Sequence, residues 1–172
     1  MIVFEDEASF RQDATLHATW SRKGSTPIVS SASSRDSVKV YGCIDVNNAK
    51  FIYHFEEEKF NAKSYLIFLE TILAKHFYPK QVCYIQDNAS YHKDGEVWRW
   101  FSENKHWLHV KNLPPYCPEL NATEHIWHHT RVKGIHNQYF NSKDEIIINL
   151  KKVFYNIRNN PKQIEGYLRP FL

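Results

Sequence analysis

The sequence predicts an α/β fold in which a mixed β-sheet carries helices on its faces. Up to about residue 56, apolar and polar residues alternate in short runs, a pattern typical of strands. From residue 61 onwards the apolar residues recur at helical spacing, with two short apolar runs between the helical segments. Strands joined by short connections, followed by alternating helices and strands, indicate a five-stranded sheet with three antiparallel strands and then two parallel ones.

The first half of the chain contains the predicted antiparallel strands. Ile2–Phe10 forms the first strand, and Leu16–Trp20 is a candidate to pair with it. Val38–Val46 alternates between two faces, and Phe51–Phe55 follows after a short turn. Because these segments follow one another through short connections, we expect them to run antiparallel.

The first helix is predicted between Asn61, a candidate N-cap, and Pro79, which a helix interior does not tolerate. Its apolar residues recur at helical spacing: Leu66, Leu69, Leu73 and Phe77. Val82–Gln86 follows as a short buried strand. A helix crossing between strands allows Val82–Gln86 to lie parallel to an earlier strand.

The remaining elements continue the alternation of helix and strand. A helix around Val97 and Phe101 precedes a strand at Trp107–Val110. After a rigid, proline-rich loop, a further helix begins near Asn121. The last helix begins at a Ser142 and Glu145 capping box and ends at Asn159-Asn160-Pro161.

Composition and charge restrict the classes of protein. With 172 residues, of which 42% are hydrophobic, the chain is long enough for a single domain, 1–172, with a substantial core. No apolar run approaches the ~20 residues of a membrane span, and nothing resembles a signal peptide. The three cysteines form no CxxC pair, so we expect a reduced, intracellular compartment. Residues 125–172 carry eight lysines and arginines against three acids, which favours a polyanionic partner.

Three acidic residues stand out because of where the predicted elements place them. Asp6 lies within the first strand, Asp87 directly follows the strand Val82–Gln86, and Glu124 lies at the start of a helix. Ligands collect at the carboxyl ends of strands in an open sheet, so the three carboxylates converge if the two strands are neighbours. Converging carboxylates repel one another unless cations neutralise them, and oxygen ligands favour Mg²⁺ or Mn²⁺.

Each of the three acids also has a purely structural interpretation. Asp6 stands between two glutamates and fits a solvated acid on an edge strand. Asp87 fits the start of an Asx-turn. Glu124 fits a capping box with Asn121, three residues before it. Spacing alone leaves both interpretations open.

Four motifs resemble the catalytic domain of mariner-type transposases and of the related bacterial insertion-sequence transposases. The motifs are FEDEASFRQ (4–12), LHATWSRKG (16–24), IQDNASYH (85–92) and LPPYCPELNATEHIW (113–127). The resemblance extends from the first strand to the last helix and implies a ribonuclease H-like fold. It places the DDE triad, whose acids are both catalytic and metal-binding, at Asp6, Asp87 and Glu124.

The resemblance also implies an activity and partners. The chain is expected to be a transposase catalytic domain that cuts DNA and joins it to a target, with two Mg²⁺ or Mn²⁺ ions per site. Its partners would be transposon ends and target DNA, bound by a homodimer, and its location would be cytoplasmic and nucleoid-associated. Two alternatives stay open: an inactive remnant that only binds nucleic acid or a partner chain, and a general metal-dependent nuclease.

Two departures from the family's pattern affect these expectations. Ala122 stands where the family usually has proline, which should loosen the start of the helix that carries Glu124. The family's N-terminal helix-turn-helix region has no counterpart in these 172 residues. We therefore expect recognition of transposon ends to lie outside them.

Several cationic or histidine side chains are candidates for contacts with DNA. They are Arg22, Lys23, His92, His125, Arg131 and Lys133. His92 and His125 have a second interpretation, as residues that contact the metal ligands and orient them without binding the metal themselves.

A zinc site and a serine nucleophile are weaker alternatives. His125 and His129 share one helix face, but the zinc protease motif requires Glu directly after the first histidine, where this chain has Ile126. No GxSxG motif is present, which argues against a serine nucleophile.

Overall fold

A computed structural model describes residues 1–13, 16–30 and 34–172. Its centre is a five-stranded sheet in the order β3-β2-β1-β4-β5. The strands are β1 (Ile2–Arg11), β2 (Ser37–Asp45), β3 (Lys50–Glu56), β4 (Val82–Gln86) and β5 (Leu108–Asn112). The strands β1, β2 and β3 pair antiparallel, whereas β4 runs parallel to both β1 and β5. The predicted mixed sheet is therefore confirmed.

Helices cover both faces of the sheet. They are α1 (Ala62–Phe68), a π-helical turn (Leu69–Leu73), α2 (Ala74–Phe77), α3 (Gly95–Asn104), α4 (Ala122–Gly134), α5 (Lys143–Asn159) and α6 (Lys162–Leu168). The first three are one continuous helical segment, which matches the prediction between Asn61 and Pro79. None of the helices in the described part of the chain has the length and hydropathy that crossing a membrane requires.

The prediction of a strand at Leu16–Trp20 is wrong. This segment has no regular structure, and the side chains of Leu16 and Trp20 are exposed. The physical reason is that β2 already pairs antiparallel with β1 from Val3 to Arg11, so the place of an antiparallel neighbour on that side is taken. The antiparallel partner of β1 is β2, reached after a longer connection than the sequence suggested.

The sheet separates two apolar cores. On one face, α1, the π-helical turn, α2 and α3 bury a cluster that includes Tyr65, Phe68 and Phe101. On the other face, α4, α5 and α6 bury a cluster around Trp127 and Phe154. Successive side chains of β1 point to opposite faces of the sheet, so the neighbouring acids Glu5, Asp6 and Glu7 do not all have the same surroundings.

The short helix α6 escaped the sequence analysis, which ended the last helix at Asn159-Asn160-Pro161. Pro161 does stop α5, but the chain resumes a helix at the next residue. Ile164 and Leu168 are buried against the core of the α4 and α5 face. Two buried residues four apart are too few for periodicity to reveal a helix of one to two turns.

Gly42 lets a helix approach the sheet closely beside Asp6, its register partner in β1. A Cβ atom on Gly42 would lie 2.6 Å from Cζ2 of Trp127, an aromatic ring that α4 and the core hold in place. Real Cβ atoms do not come so close to a ring carbon, so the ring of Trp127 must move to accommodate a methyl group. The close approach of α4 to β2 therefore depends on the absence of a side chain at this position.

The variant Gly42→Ala is expected to lower the melting temperature by about 3–10 °C. Overpacking costs about 1–3 kcal/mol, and each kcal/mol shifts the midpoint by about 2–4 °C in a domain of this size. Differential scanning calorimetry measures the shift. The control is Gly166→Ala in α6, where nothing lies within 4 Å of the added atom. Equal melting temperatures for Gly42→Ala and the wild type would contradict the close approach.

Candidate active site

The parallel pairing of β1 and β4 brings two aspartates to the same edge of the sheet. Pairing between the strands ends at Phe4↔Ile85, so Asp6 and Asp87 both lie just beyond the paired region. Asp6 continues in β1, whereas Asp87 follows the last residue of β4. The geometry matches the expectation that these strands are neighbours.

Asp6 is a buried carboxylate with one hydrogen bond from a side chain. The indole Nε1–H of Trp127 donates to its Oδ2 at 3.1 Å. Burial, followed by the negative charges of Glu124 and Glu7, raises the pKa of Asp6 from 3.8 to about 8. The repulsion from Glu124 is evidence that the carboxylate of Glu124 lies near that of Asp6. Asp6 is therefore no solvated acid on an edge strand.

Asp87 has the Asx-turn that the sequence allowed as an alternative. Its Oδ1 accepts the backbone N–H of Ala89 at 2.8 Å and lies 3.1 Å from Nδ1 of His92. Burial acts to raise the pKa of Asp87, but the hydrogen bonds from His92 and Ala89 outweigh it, so the pKa lies below its ordinary value. Since both bonds are made by Oδ1, the turn fixes the carboxylate without using Oδ2.

Glu124 lies in the first turn of α4, and the structure argues against a capping box for its side chain. The N-cap is Asn121, whose side chain accepts from the backbone N–H of Thr123 at 3.1 Å. The N–H of Asn121, which a capping-box glutamate would accept, donates instead to the carbonyl of Pro118 at 2.9 Å. The amide of Asn121 also donates to the carbonyl of Glu5 at 2.9 Å, which ties the helix start to β1.

A cavity of about 520 Å³ is lined by all three acids that the sequence singled out. The proline-rich loop, residues 113–118, forms much of the remaining wall. The structure therefore places the three residues on one cavity, although 36 residues lie between the last two in the sequence. Glu124 is not part of the closest group of ligand atoms, which joins Asp6 and Asp87 with Glu7.

A fourth carboxylate, Glu7, lies at the same place, and the sequence analysis passed over it. One ligand atom each of Asp6, Glu7 and Asp87 lies within 4.8 Å of the others. Because β4 no longer pairs with β1 beyond Phe4, no strand separates Glu7 from this edge. The three successive acids Glu5, Asp6 and Glu7 were the available signal, but a run of acids usually indicates a solvated strand.

The donor set fits a hard divalent cation. The group of potential ligands at the cavity, formed by Asp6, Glu7 and Asp87, offers carboxylate oxygens, which favour Mg²⁺ or Mn²⁺ over softer metals. The raised pKa of Asp6 is consistent with a cation site, because burial and neighbouring negative charges oppose the ionisation of this carboxyl group. A bound cation would relieve that opposition.

The candidate DNA contacts are distributed unevenly. Arg22, Lys23 and Lys133 are exposed. Arg131 is half-buried, with its guanidinium 5.7 Å from the ring centroid of Phe10. Arg131 and Lys133 lie about two turns beyond Glu124 on α4. Arg22 and Lys23 belong to the exposed segment that follows β1, and none of the four cations lines the cavity.

The two histidines among the candidates are less accessible. The ring of His125 stacks on Tyr167 and meets the edge of Phe171, so it packs against α6 and the residues after it. The prediction that His92 contacts DNA needs correction, because only 1% of its side chain is exposed and both ring nitrogens face carboxylates. Within the described residues, neither His125 nor His129 belongs to a cluster with metal-ligand geometry.

Comparison with protein families gives one match over most of the chain. Residues 1–147 match the model of a family described as DDE superfamily endonuclease. A search of curated proteins finds no match.

Solved structures with the same fold come from Mos1 transposase. The pre-cleavage Mos1 transpososome superposes with a TM-score of 0.70 at 17% identity, covering 98% of this chain and 54% of that one. The Mos1 mariner paired-end complex with Mn gives 0.68 at 19% identity, with 98% and 53% covered. The catalytic domain of Mos1 alone gives 0.60 at 15% identity, with 98% and 78% covered. These likenesses establish the ribonuclease H-like fold, and the chain spans about half the length of the longer Mos1 chains.

Proposed function

Because the chain belongs to the DDE superfamily of endonucleases, we propose that it is the catalytic domain of a DNA transposase. In this function it cuts DNA strands and joins the resulting 3′-hydroxyl ends to target DNA. Residues 1–172 form a single catalytic domain. The observation that carries the proposal is the convergence of Asp6, Asp87 and Glu124 on one cavity at the carboxyl edge of β1 and β4.

The three acids are the catalytic residues and the ligands of two Mg²⁺ or Mn²⁺ ions in this proposal. Asp6 would contact both ions, and Asp87 and Glu124 would each hold one. Such cations supply activation of an attacking oxygen and stabilisation of the leaving oxygen at phosphorus. The carboxylate chemistry of the cavity and the raised pKa of Asp6 support this assignment.

The surrounding residues fix the ligands rather than attack the substrate. The indole of Trp127 holds Oδ2 of Asp6 and excludes water from its buried side. The turn at Ala89 holds Oδ1 of Asp87, and the amide of Asn121 ties the start of α4 to β1. A ligand set held in this way needs little reorganisation during the reaction, so the protein contributes mainly positioning.

DNA is the proposed partner, as transposon ends and as target. The Mos1 structures include a paired-end complex with a transposon end and a strand transfer complex. We extend DNA binding by a homodimer to this chain, together with a cytoplasmic, nucleoid-associated location. Arg22, Lys23, Arg131 and Lys133 are the proposed phosphate contacts, with a smaller role for His125, because backbone contacts position a duplex without reading its sequence.

A joining assay tests the function. The protein is incubated with a labelled duplex that carries a free 3′-hydroxyl, together with supercoiled plasmid and Mg²⁺ or Mn²⁺. We expect the label to become covalently attached to the plasmid, and Asp87→Asn to lower the yield by about 10²–10³-fold. Plasmid cutting without joining would favour the general nuclease. DNA binding with neither reaction, in a folded protein, would favour the inactive remnant.

A further inference from the structure

His92 lies between the candidate metal ligands and the interior of the protein. It belongs to the short 3₁₀ turn Ser90–Lys93, which directly follows the Asx-turn of Asp87. Its ring packs against the rings of Tyr65 and Tyr91, with centroids 4.2 Å and 4.8 Å away. Because the side chain is almost completely buried, these contacts restrict it to one orientation.

Both ring nitrogens of His92 face carboxylate oxygens. Nδ1 lies 3.1 Å from Oδ1 of Asp87 and 3.4 Å from the backbone carbonyl oxygen of the same residue, and Nε2 lies 3.1 Å from Oε1 of Glu7. An ionised carboxylate only accepts hydrogen bonds, so each nitrogen is the donor in its pair. Tyr91 donates a second hydrogen bond to the same Oε1 of Glu7 at 2.5 Å. One ring therefore joins an acid that follows β4 to an acid of β1.

Glu5 gives an independent reason for a positively charged His92 ring at this position. It is completely buried, and neither of its carboxylate oxygens has a hydrogen-bond partner among residues 1–13, 16–30 and 34–172. Its Oε2 lies 4.0 Å from Nε2 of His92. A buried carboxylate without compensation is costly. Burial and the negative charge of Glu7 therefore raise the pKa of Glu5, and the positive charge of His92 acts against that rise.

We propose that His92 is a positioning residue: its Nε2 is anchored by Glu7, and its Nδ1 holds Asp87, which sets the affinity of the site for a divalent cation. The contact at Nδ1 turns Oδ1 of Asp87 towards the protein and leaves Oδ2 for a ligand. Glu7, which Tyr91 also holds, lies within 4.8 Å of Asp6 and Asp87. This inference rests on the proposed function, since it assumes that the acids bind a cation.

Two amide variants separate the two contacts of the ring. In His92→Asn the amide nitrogen occupies the place of Nδ1, so the contact with Asp87 is retained. In His92→Gln it occupies the place of Nε2, so the contact with Glu7 is retained and that with Asp87 is lost. Loss of a residue that supports a metal ligand weakens metal binding by about 10–100-fold.

The readout is Mn²⁺ affinity without DNA, measured from the electron paramagnetic resonance signal of free Mn²⁺. We expect His92→Asn to bind within about 3-fold of the wild type and His92→Gln to bind about 10–100-fold more weakly. The control is Tyr91→Phe, which removes the neighbouring bond to Glu7 and keeps the packing. It should bind within about 3-fold of the wild type. Equal affinities for the two His92 variants, or the reverse order, would overturn the proposal.

Wild-type protein provides a second measurement that does not depend on the folding of either variant. With ¹⁵N-labelled histidine, addition of diamagnetic Mg²⁺ should shift the Nδ1–H resonance of His92, because Asp87 accepts that hydrogen bond. An Nδ1–H resonance that does not respond while Mg²⁺ binds would also overturn the proposal. Failure of wild-type protein to bind Mn²⁺ or Mg²⁺ at all would instead reject the proposed function on which this inference rests.

Discussion

Asp6→Asn is expected to abolish DNA cutting and joining, by about 10³-fold or more, in a protein that stays folded. The amide is nearly isosteric with the carboxylate and still offers an oxygen to the indole N–H of Trp127. What it removes is the negative charge that a divalent cation requires, and with it the electrostatic stabilisation of the reacting phosphate. The joining assay measures the activity, and circular dichroism confirms the fold.

A conservative change at an acid outside the cavity is the control for Asp6→Asn. Asp94 is the N-cap of α3 and accepts from the backbone N–H of Glu96. Asparagine is an equally good N-cap, so Asp94→Asn should retain activity within about 2-fold. Full activity in Asp6→Asn would remove this residue from the proposed site.

Divalent cations are expected to stabilise the protein strongly, and most strongly near pH 8 and above. The pKa of Asp6 is about 8 in the folded protein, because of burial and the charges of Glu124 and Glu7, against an ordinary 3.8. The folded state therefore holds a proton that the unfolded state releases, and without metal, stability falls as pH rises from about 4 to 8. At 1.4 kcal/mol per pKa unit the loss approaches about 6 kcal/mol.

Binding of Mg²⁺ or Mn²⁺ replaces the missing proton with a cation, so the loss of stability should largely disappear. A ligand at 100 times its dissociation constant adds about 2.7 kcal/mol. Urea unfolding at several pH values, in EDTA and in excess Mn²⁺, measures both curves. The Asp6→Asn variant should show a flatter pH dependence and little response to Mn²⁺. A wild-type protein whose stability in EDTA does not change between pH 5 and 8 would contradict the burial of Asp6.

Sheet topology was accessible from the sequence because each strand carries its own local signal. The alternation in Ile2–Phe10 and Val38–Val46 reports two-sided burial, and the helix before Val82–Gln86 forces a crossover and hence parallel pairing. The composition of Leu16–Trp20 suits a strand, but β2 takes the place beside β1 that this segment was predicted to fill. Pairing depends on which edges are free, and no local pattern contains that information.

The candidate site was partly predictable for a related reason. Strand ends and a helix start fix where Asp6, Asp87 and Glu124 lie, and the motifs shared with transposases select them from nineteen acids. Glu5, Glu7 and His92 were not predictable as a buried network, because an acidic strand next to a histidine in a turn fits a solvated surface equally well. Their burial results from the helical segment that begins with α1, whose Tyr65 covers this face of β1.

The claim on which the account depends is that Asp6, Asp87 and Glu124 share divalent cations at the edge of β1 and β4. Anomalous diffraction from crystals soaked in Mn²⁺ tests it most directly, because the signal locates the ion without assuming its ligands. The account predicts anomalous density within about 2.5 Å of a carboxylate oxygen of each of the three residues. Well-ordered side chains with no Mn²⁺ between them, or with Mn²⁺ bound only elsewhere, would contradict it.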